Sequence, residues 1–182
     1  MTFSMEFFWR RLGHMFYVIH PDDMAFSTVE EDPPYVTHAI PYFFLLIFVE
    51  MTVCFFRGYK AYYFKDTVMS VSLGIMQQVV GLWIKALGVI PYMYLYTHFR
   101  VFDIPTTGWL PFIGVLLGCD FCYYVYHRTA HEWHVLWSGH SVHHSGQHYN
   151  LATALRQGSN QPAASWIPYL LLAILGFPPG MV

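Results

Sequence analysis

The sequence predicts an all-α protein built as a polytopic bundle of transmembrane helices, and three observations support this prediction. Of its 182 residues, 55% are hydrophobic and 11% are charged, less than half of the roughly 25% charged residues of a usual soluble domain. The apolar residues fall into runs of about 18, which as helices would cover about 27 Å, close to the hydrocarbon thickness of a bilayer. Eleven histidines are present, and seven of them lie within 22 residues directly after one of these runs.

Residues 1–38 are the most polar part of the chain, and we expect an interfacial helix followed by a loop. The aromatic residues around Trp9 stand beside Arg10 and Arg11, which is typical of a helix lying in the membrane surface. An acidic, proline-containing stretch from Pro21 to Pro34 favours a loop. The chain start lacks the basic segment and apolar core of a signal peptide.

Residues 39–126 are predicted to form the transmembrane helices. The first span covers Ala39 to Phe56, and the second covers Thr67 to Ile84. After a turn-like Pro-Thr-Thr-Gly sequence, the third span runs from Trp109 to about Tyr126. Each run is long enough to cross the hydrocarbon core as a helix.

Two further apolar stretches are too short or too interrupted to be assigned as transmembrane helices. The stretch from Lys85 to Phe99, broken by Gly88 and Pro91, is predicted to be a separate interfacial or re-entrant piece. Residues 158–182 contain a fourth apolar run, Trp166 to Phe177, which is interrupted by Pro168 and predicts a partial further membrane helix.

Basic residues after the first span predict the orientation of the bundle. Arg57, Lys60 and Lys65 follow it directly, and such flanks mark the cytosolic side of a membrane. With three spans, the residues after Tyr126 then face the cytosol. A full extra crossing at residues 85–99 would invert this assignment.

The charge balance and the cysteines exclude other classes of protein. A formal charge of −2 with no run of Lys or Arg argues against a nucleic-acid partner. Three cysteines do not make a secreted disulfide framework. Cys119 and Cys122 have the C-x-x-C spacing, but in an apolar segment we expect them to be small buried side chains rather than a redox or metal pair.

Residues 127–157 are predicted to be a metal-binding region with two histidine boxes. In the first box, His127 and His131 stand one helical turn apart on one face, so both imidazoles can reach one ion. In the second box, His140, His143 and His144 again share a single helical face. Five imidazoles exceed what one open tetrahedral site uses, which favours two metals, and imidazole suits iron, zinc, copper and nickel alike.

Acidic residues near the boxes are candidates for supporting roles. Asp120, two turns before His127 in an apolar span, is predicted to accept a hydrogen bond from a ligating imidazole. Glu132 points about 100° away from the metal face, so it is better placed to hold a substrate or cofactor. Glu50 either snorkels towards the basic flank or has a specific partner.

Other polar side chains in this region have two open interpretations. His134 extends the face of the first box by another turn, and His148 follows His144 by four residues, so each is a ligand or a solvated neighbour. Arg128 and Arg156 are expected to be interfacial cations that contact lipid headgroups or a carboxylate.

These motifs resemble the fatty acid hydroxylase superfamily, which also includes sterol desaturases and hydroxylases. The resemblance is carried by HRTAHEWHVLWSGHSVHHSGQHYNLATALRQ. More narrowly, the stretch from about Phe7 to Gln157, including EDPPYVTHAIPYFFLLIFVE and CDFCYYVYHRTAHEWH, is similar to the alkylglycerol monooxygenases.

The resemblance implies a multi-pass protein of the endoplasmic reticulum membrane, with two iron ions held by histidines on its cytosolic face. It implies hydroxylation of the ether-linked carbon of an alkylglycerol from the bilayer, dependent on O2 and tetrahydrobiopterin, with release of an aldehyde. Glu132 would contact the pterin. By motif position, the implied iron ligands are His127, His131, His140, His143 and His144.

The chain departs from the family pattern in one respect. A third histidine box belongs to that pattern, and nothing after His148 supplies it, so we expect an incomplete form of the family enzyme. Two alternatives remain open. One is a sterol or fatty acid hydroxylase or desaturase of the same superfamily, and the other is a non-catalytic membrane protein that binds metal or pairs with a full-length relative.

Overall fold

The computed structural model describes residues 9, 12–14, 16, 20–23, 26–29 and 35–182. The described residues form helices and no strands, which confirms the all-α prediction. The longer helices are α1 (Tyr35–Phe56), α2 (Phe64–Phe99), α3 (Trp109–Glu132), α4 (His134–His140) and α5 (Leu170–Leu175). Short 3-10 helices lie at Pro21–Asp23, His143–Ser145, Leu151–Leu155, Gln161–Ala163, Ile167–Tyr169 and Pro179–Met181. Of the predicted interfacial helix, the structure describes only residues 9, 12–14 and 16, of which residues 9 and 12–14 are helical, and the rest lies outside the described residues.

Three of these helices are long and apolar enough to cross a membrane, namely α1, α2 and α3. They correspond to the three predicted spans, although two bounds differ. Helix α1 begins at Tyr35 rather than Ala39, and α3 continues beyond Tyr126 to Glu132. The last turns of α3 therefore carry the first histidine box.

Helix α2 is continuous over 36 residues, about 54 Å. The prediction of a separate interfacial or re-entrant piece from Lys85 to Phe99 is therefore wrong, and this stretch adds no crossing of its own. Pro91 costs the helix one backbone hydrogen bond, which packed membrane helices tolerate. Gly88 provides room for Trp166, because a Cβ added at Gly88 would lie 3.0 Å from the Trp166 Cβ.

The chain after residue 160 is helical but broken, rather than a single partial membrane helix. Pro162 and Pro168 each stand in the first turn of a 3-10 helix, where a missing N–H is tolerated. Only the six residues of α5 are α-helical, and Gly176 ends this helix with φ 98°. A Cβ at Gly176 would also lie 1.8 Å from the carbonyl oxygen of Phe102, so only glycine fits there.

Residues 151–177, called the C-terminal segment below, run parallel to α2. Near its start, a Cβ added at Gly74 would lie 2.8 Å from the carbonyl oxygen of Leu155. Near its end, the Tyr92 hydroxyl donates to the carbonyl oxygen of Phe177 at 2.9 Å. The order of these contacts fixes the register between the two elements.

The same segment runs antiparallel to α3. The Tyr126 hydroxyl lies 3.5 Å from the carbonyl oxygen of Gln161, and the Cys122 thiol lies 3.3 Å from that of Pro168. Cys122 is 1% exposed in the core, Cys119 packs against that core, and both are free thiols. The prediction that these cysteines serve as small packed side chains is confirmed. The buried core of the bundle comprises Tyr92, Val115, Cys122, Leu172, Ala173 and Phe177.

A buried ion pair joins the C-terminal segment to the start of α2. Arg156 is 5% exposed and pairs with the carboxylate of Asp66. Its guanidinium also donates to the hydroxyls of Ser70 at 3.2 Å and Ser145 at 3.3 Å. Arg156 contacts a carboxylate as expected, but the expectation of an interfacial cation is wrong, because the side chain is enclosed by protein.

Glu50 has specific partners, which decides between the two interpretations of this residue. Its carboxylate accepts the backbone N–H of Leu151 at 2.9 Å and the hydroxyl of Tyr62. Beside it, the Asn150 side-chain amide donates to the carbonyl oxygen of Ala61 at 2.8 Å. These bonds attach α1 and the loop after it to the start of the C-terminal segment.

We expect Gly74→Ala to destabilise the protein by about 1–3 kcal/mol, because the added methyl group meets the backbone of Leu155. Gly81→Ala in the same helix is the matched control, since a Cβ at Gly81 has no atom within 4 Å. It should be neutral or stabilising by up to about 1 kcal/mol. Unfolding in mixed micelles measures both changes, and equal effects would contradict the packing described here.

We expect Arg156→Met to lower the free energy of unfolding by about 3 kcal/mol, because it leaves the Asp66 carboxylate largely buried and unpaired. The double variant with Asp66→Leu should be more stable than the single variant. Arg100→Met, which removes an exposed pair with Asp103, should change stability little. The same unfolding assay decides, and similar losses for Arg156 and Arg100 would argue against a structural ion pair.

Candidate metal centre

The first histidine box lies on the last turns of α3. His127 and His131 are one turn apart, and their Nε2 atoms are 3.2 Å from each other. The predicted helical spacing therefore brings the two rings to one face. Both Nε2 atoms point at the same region beyond the end of α3.

A single extended residue brings the second box back onto the first. Trp133 has φ −107° and ψ 123°, so it interrupts the helix between α3 and α4. The chain then turns back, and the Nε2 of His140 lies 3.2 Å from that of His131. The Nε2 of His144 lies 3.2 Å from that of His140.

Together these residues form a four-histidine cluster of His127, His131, His140 and His144. One nitrogen from each ring lies within 4.8 Å of the other three. Metal–nitrogen bonds of about 2.0–2.1 Å place adjacent ligands roughly 3 to 3.5 Å apart. The observed separations of 3.2 Å therefore match the edges of a coordination polyhedron, and the residues fit a metal ion.

The protonation state of the cluster also suits a metal. His140 is 2% exposed, and burial, helped by the neighbouring imidazoles, lowers its pKa to about 4. The same causes lower the pKa of His144. These rings are therefore neutral near pH 7 and keep a lone pair for a ligand bond.

Close backbone packing holds His140 in place. A Cβ added at Gly139 would lie 2.3 Å from the side-chain oxygen of Asn160. A Cβ added at Gly158 would lie 2.2 Å from the carbonyl oxygen of Gly139. Two glycines thus allow α4 to approach residues 158–160 closely, and this contact fixes the residue next to His140.

His143 lies beside the cluster rather than in it. Helix α4 ends at His140 and a 3-10 helix begins at His143, so the second box does not form one α-helical face as predicted. The His143 Nδ1 lies 3.1 Å from the carbonyl oxygen of Arg156 and 3.3 Å from the Gln157 Nε2. A proton on Nδ1 donated to this carbonyl would leave the lone pair on Nε2.

The two acidic candidates are both exposed and lie outside the cluster. Within the described part of the chain, no hydrogen bond joins Asp120 to an imidazole, so the structure does not show the predicted contact. The Glu132 carboxylate accepts from the Arg128 Nε at 3.0 Å, and Arg128 also donates to the Tyr124 hydroxyl. Glu132 lies at the surface directly after His131.

The two remaining histidines are not brought to the cluster. His134 is exposed and has no ring or hydrogen-bond contact among the described residues. The His148 ring stacks on that of Tyr63, with centroids 4.0 Å apart and planes at 13°. His148 therefore packs against the loop after α1.

Two aromatic side chains next to the cluster were not predicted. The Trp137 ring stacks on His144 with centroids 5.7 Å apart and lies 5.5 Å from His131. The Tyr123 ring lies 5.6 Å from that of His127. Their spacings, three residues before His140 and four before His127, could have indicated both positions.

Comparison with known proteins gives consistent relatives. The chain is 36% identical to the human alkylglycerol monooxygenase, and the match covers 92% of this chain and 38% of the relative. It is 39% identical to the zebrafish (Danio rerio) protein of the same name, over 92% of this chain and 37% of that one. The corresponding protein of Xenopus tropicalis is 37% identical, over 87% and 36% of the two chains. The chain thus spans about two fifths of the length of these relatives.

The family model that matches is that of the fatty acid hydroxylases, over residues 112–182. No solved structure matches the chain. The matched residues include both histidine boxes and the four-histidine cluster. The resemblance inferred from the sequence motifs is confirmed, and the histidine-bearing part of this chain belongs to the fatty acid hydroxylase family.

Proposed function

We propose that this protein is a membrane monooxygenase that hydroxylates the ether-linked carbon of alkylglycerols. The convergence of four imidazole nitrogens beside three helices able to cross a membrane carries this proposal. The relatives named alkylglycerol monooxygenase support the substrate, since they are similar over most of this chain. The ether-linked carbon becomes a hemiacetal on hydroxylation, which falls apart to an aldehyde and a glycerol derivative.

Iron is the metal we propose for the histidines, with two ions in the active enzyme. Bound iron would supply the activation of O2 that no side chain can perform. His127, His131, His140 and His144 would hold it, and His143 would add a nitrogen from the side of Arg156. Trp137 packs against two of these rings, those of His131 and His144.

Tetrahydrobiopterin is the proposed reductant, with Glu132 as its contact. The Glu132 carboxylate is exposed next to His131, and its partner Arg128 is also at the surface. A pterin offers N–H groups that a carboxylate accepts well. Asp120, which lies on α3 two turns before His127, is proposed to support the cluster.

We propose that the protein lies in the endoplasmic reticulum membrane with its histidine boxes on the cytosolic face. The basic residues Arg57, Lys60 and Lys65 follow α1 and support this orientation. The lipid would enter from the bilayer, so its alkyl chain need not cross water. The chain spans about two fifths of the length of the alkylglycerol monooxygenases it resembles, and we also propose that it pairs with a longer relative of this kind.

We expect the purified chain to bind Fe(II), and His140→Ala to lose most of it, because this ring contacts two others of the cluster. His134→Ala is the matched control, since that exposed ring lies outside the cluster. Elemental analysis after anaerobic loading measures the iron per chain. Zinc bound in place of iron, without O2 consumption, would favour a non-catalytic metal-binding protein.

We expect membranes of cells that express the protein to release aldehyde from an alkylglycerol only with added tetrahydrobiopterin. Glu132→Gln should raise the KM for the pterin about tenfold, the effect of one charge-assisted hydrogen bond, and leave iron content unchanged. Arg128→Met is the control, because it breaks the ion pair and keeps the carboxylate. Equal effects of both changes would assign Glu132 a purely structural role, and turnover of sterols or fatty acids instead would select the other branch of the superfamily.

A further inference from the structure

A cavity of about 470 Å³ lies between α2, α3 and the C-terminal segment, and Val29, Pro179 and Val182 complete its lining. Its lining is mainly apolar and aromatic, and pockets for small molecules have volumes of about 300–1,000 Å³. Tyr123 and Tyr126 of α3 contribute to the lining, and the Tyr123 ring contacts His127. The cavity therefore borders the end of α3 that carries the first histidine box.

The two ends of the cavity can be identified from the packing of its walls. Along α2 the lining extends from Lys85 to Tyr92, two helical turns or about 10 Å. Gln161, opposite Tyr126, also lines the cavity, whereas Tyr92 bonds to Phe177 at the far end of the C-terminal segment. Because this segment runs parallel to α2, Lys85 lies at the histidine end and Tyr92 at the distal end.

Lys85 is the unusual residue of this lining. It is exposed in the interior of an apolar helix, and the described residues offer it no hydrogen bond or ion pair. An ammonium group in apolar surroundings is costly unless it has an anionic partner or reaches water, so the presence of Lys85 in this lining calls for an explanation. The cavity thus has a cation at the histidine end and aromatic rings along its walls.

We propose that this cavity binds the lipid substrate as a single-chain ether lipid with a phosphate headgroup. Lys85 pairs with the phosphate, and the alkyl chain lies among Tyr92, Trp166 and Tyr169. The inference rests on the proposed function and adds the location and headgroup charge of its substrate. A cation without a counter-charge favours an anionic headgroup over a neutral glycerol.

The size and polarity of the cavity agree with one alkyl chain. Its volume of about 470 Å³ lies within the range of about 300–1,000 Å³ of small-molecule pockets, and a folded alkyl chain suits its length of about 10 Å along α2. The ether-linked carbon lies between headgroup and chain. With the headgroup at Lys85, this carbon is placed on the side of Tyr123, next to His127.

The headgroup is tested by binding to the purified chain in nanodiscs of zwitterionic lipid. An alkylglycerol phosphate and the neutral alkylglycerol compete against a photoreactive analogue with a diazirine at the end of its alkyl chain. We expect the phosphate form to bind about tenfold more tightly, and Lys85→Met to abolish this preference while Lys85→Arg keeps it. Equal affinities in the unmodified chain, or a preference that survives Lys85→Met, would overturn the proposal. A preference for the phosphate form that survives Lys85→Met would arise if Lys85 pairs with headgroups of the bilayer instead.

The location is tested by mapping the photoreactive label. We expect labelling near Tyr92 and Tyr169, towards the distal end of the cavity, that excess unlabelled lipid suppresses. Ser165→Phe fills the cavity and should weaken binding about tenfold or more, the effect of blocking an apolar pocket. Ala163→Phe is the matched control, because Ala163 is exposed nearby and does not line the cavity. Two results would contradict the proposed site. One is labelling that the unlabelled lipid fails to suppress. The other is an equal loss of binding in both variants while their helix content is unchanged.

These measurements need no turnover, so they separate the two hypotheses. A chain that binds iron but shows no competed labelling contradicts only the cavity assignment. A chain that binds the lipid but no iron, with no aldehyde released by expressing membranes, contradicts the proposed function.

Discussion

Four imidazole rings meet at one point, and this convergence is favourable only while the rings stay neutral, because protonated rings repel one another. Burial lowers the pKa of His140 to about 4, and its Nδ1 has no hydrogen-bond partner in the described part of the chain. If one ring of the cluster is protonated, a proton on a second ring places two positive charges within a few ångströms of each other. The surrounding fold must therefore hold the rings together. The rigid end of α3, the extended Trp133 and the close contact at Gly139 provide this restraint.

The buried ion pair restrains the same region through His143. The side chain of Arg156 is fixed on α2 by Asp66, while its carbonyl oxygen lies 3.1 Å from the His143 Nδ1. One residue thereby links the longest helix to the second histidine box. Glu50 has a comparable role further along, since it ties α1 to the backbone of Leu151. The candidate metal centre is thus linked to α2 through Arg156, and the segment that carries Arg156 is in turn attached to α1.

The features that could be predicted from the sequence are those that depend on the spacing of nearby residues. The pairing of His127 with His131 follows from one helical turn, and the three spans follow from apolar length. The contact of His131 with His140 depends instead on one extended residue after α3, for which no local rule exists. The bond between Asp66 and Arg156 joins residues 90 positions apart, and such partners leave no periodic signal. The ligand roles of the five box histidines remain predictions from spacing and resemblance.

The error at residues 85–99 has a similar cause. Glycine and proline usually mark a break in a helix, and here they stand where α2 packs against another element. Gly88 leaves room for Trp166, so the apparent breaker is a packing position. A continuous α2 also has a functional consequence. Its length of about 54 Å exceeds the roughly 30 Å of hydrocarbon, so a large part of the helix lies outside the bilayer core even when tilted.

The contacts along α2 then relate the histidines to the membrane. The C-terminal segment follows α2 from Gly74 to Tyr92, and the histidine boxes lie towards the Gly74 end of this contact. If the later part of α2 fills the bilayer, the cluster lies at the membrane edge and the aromatic cavity extends from it into apolar surroundings. Under the proposed function, a lipid then presents its ether-linked carbon to the histidine cluster without exposing its alkyl chain to water. In this arrangement the cost of extracting a lipid from the bilayer, which rises with each methylene group, is avoided.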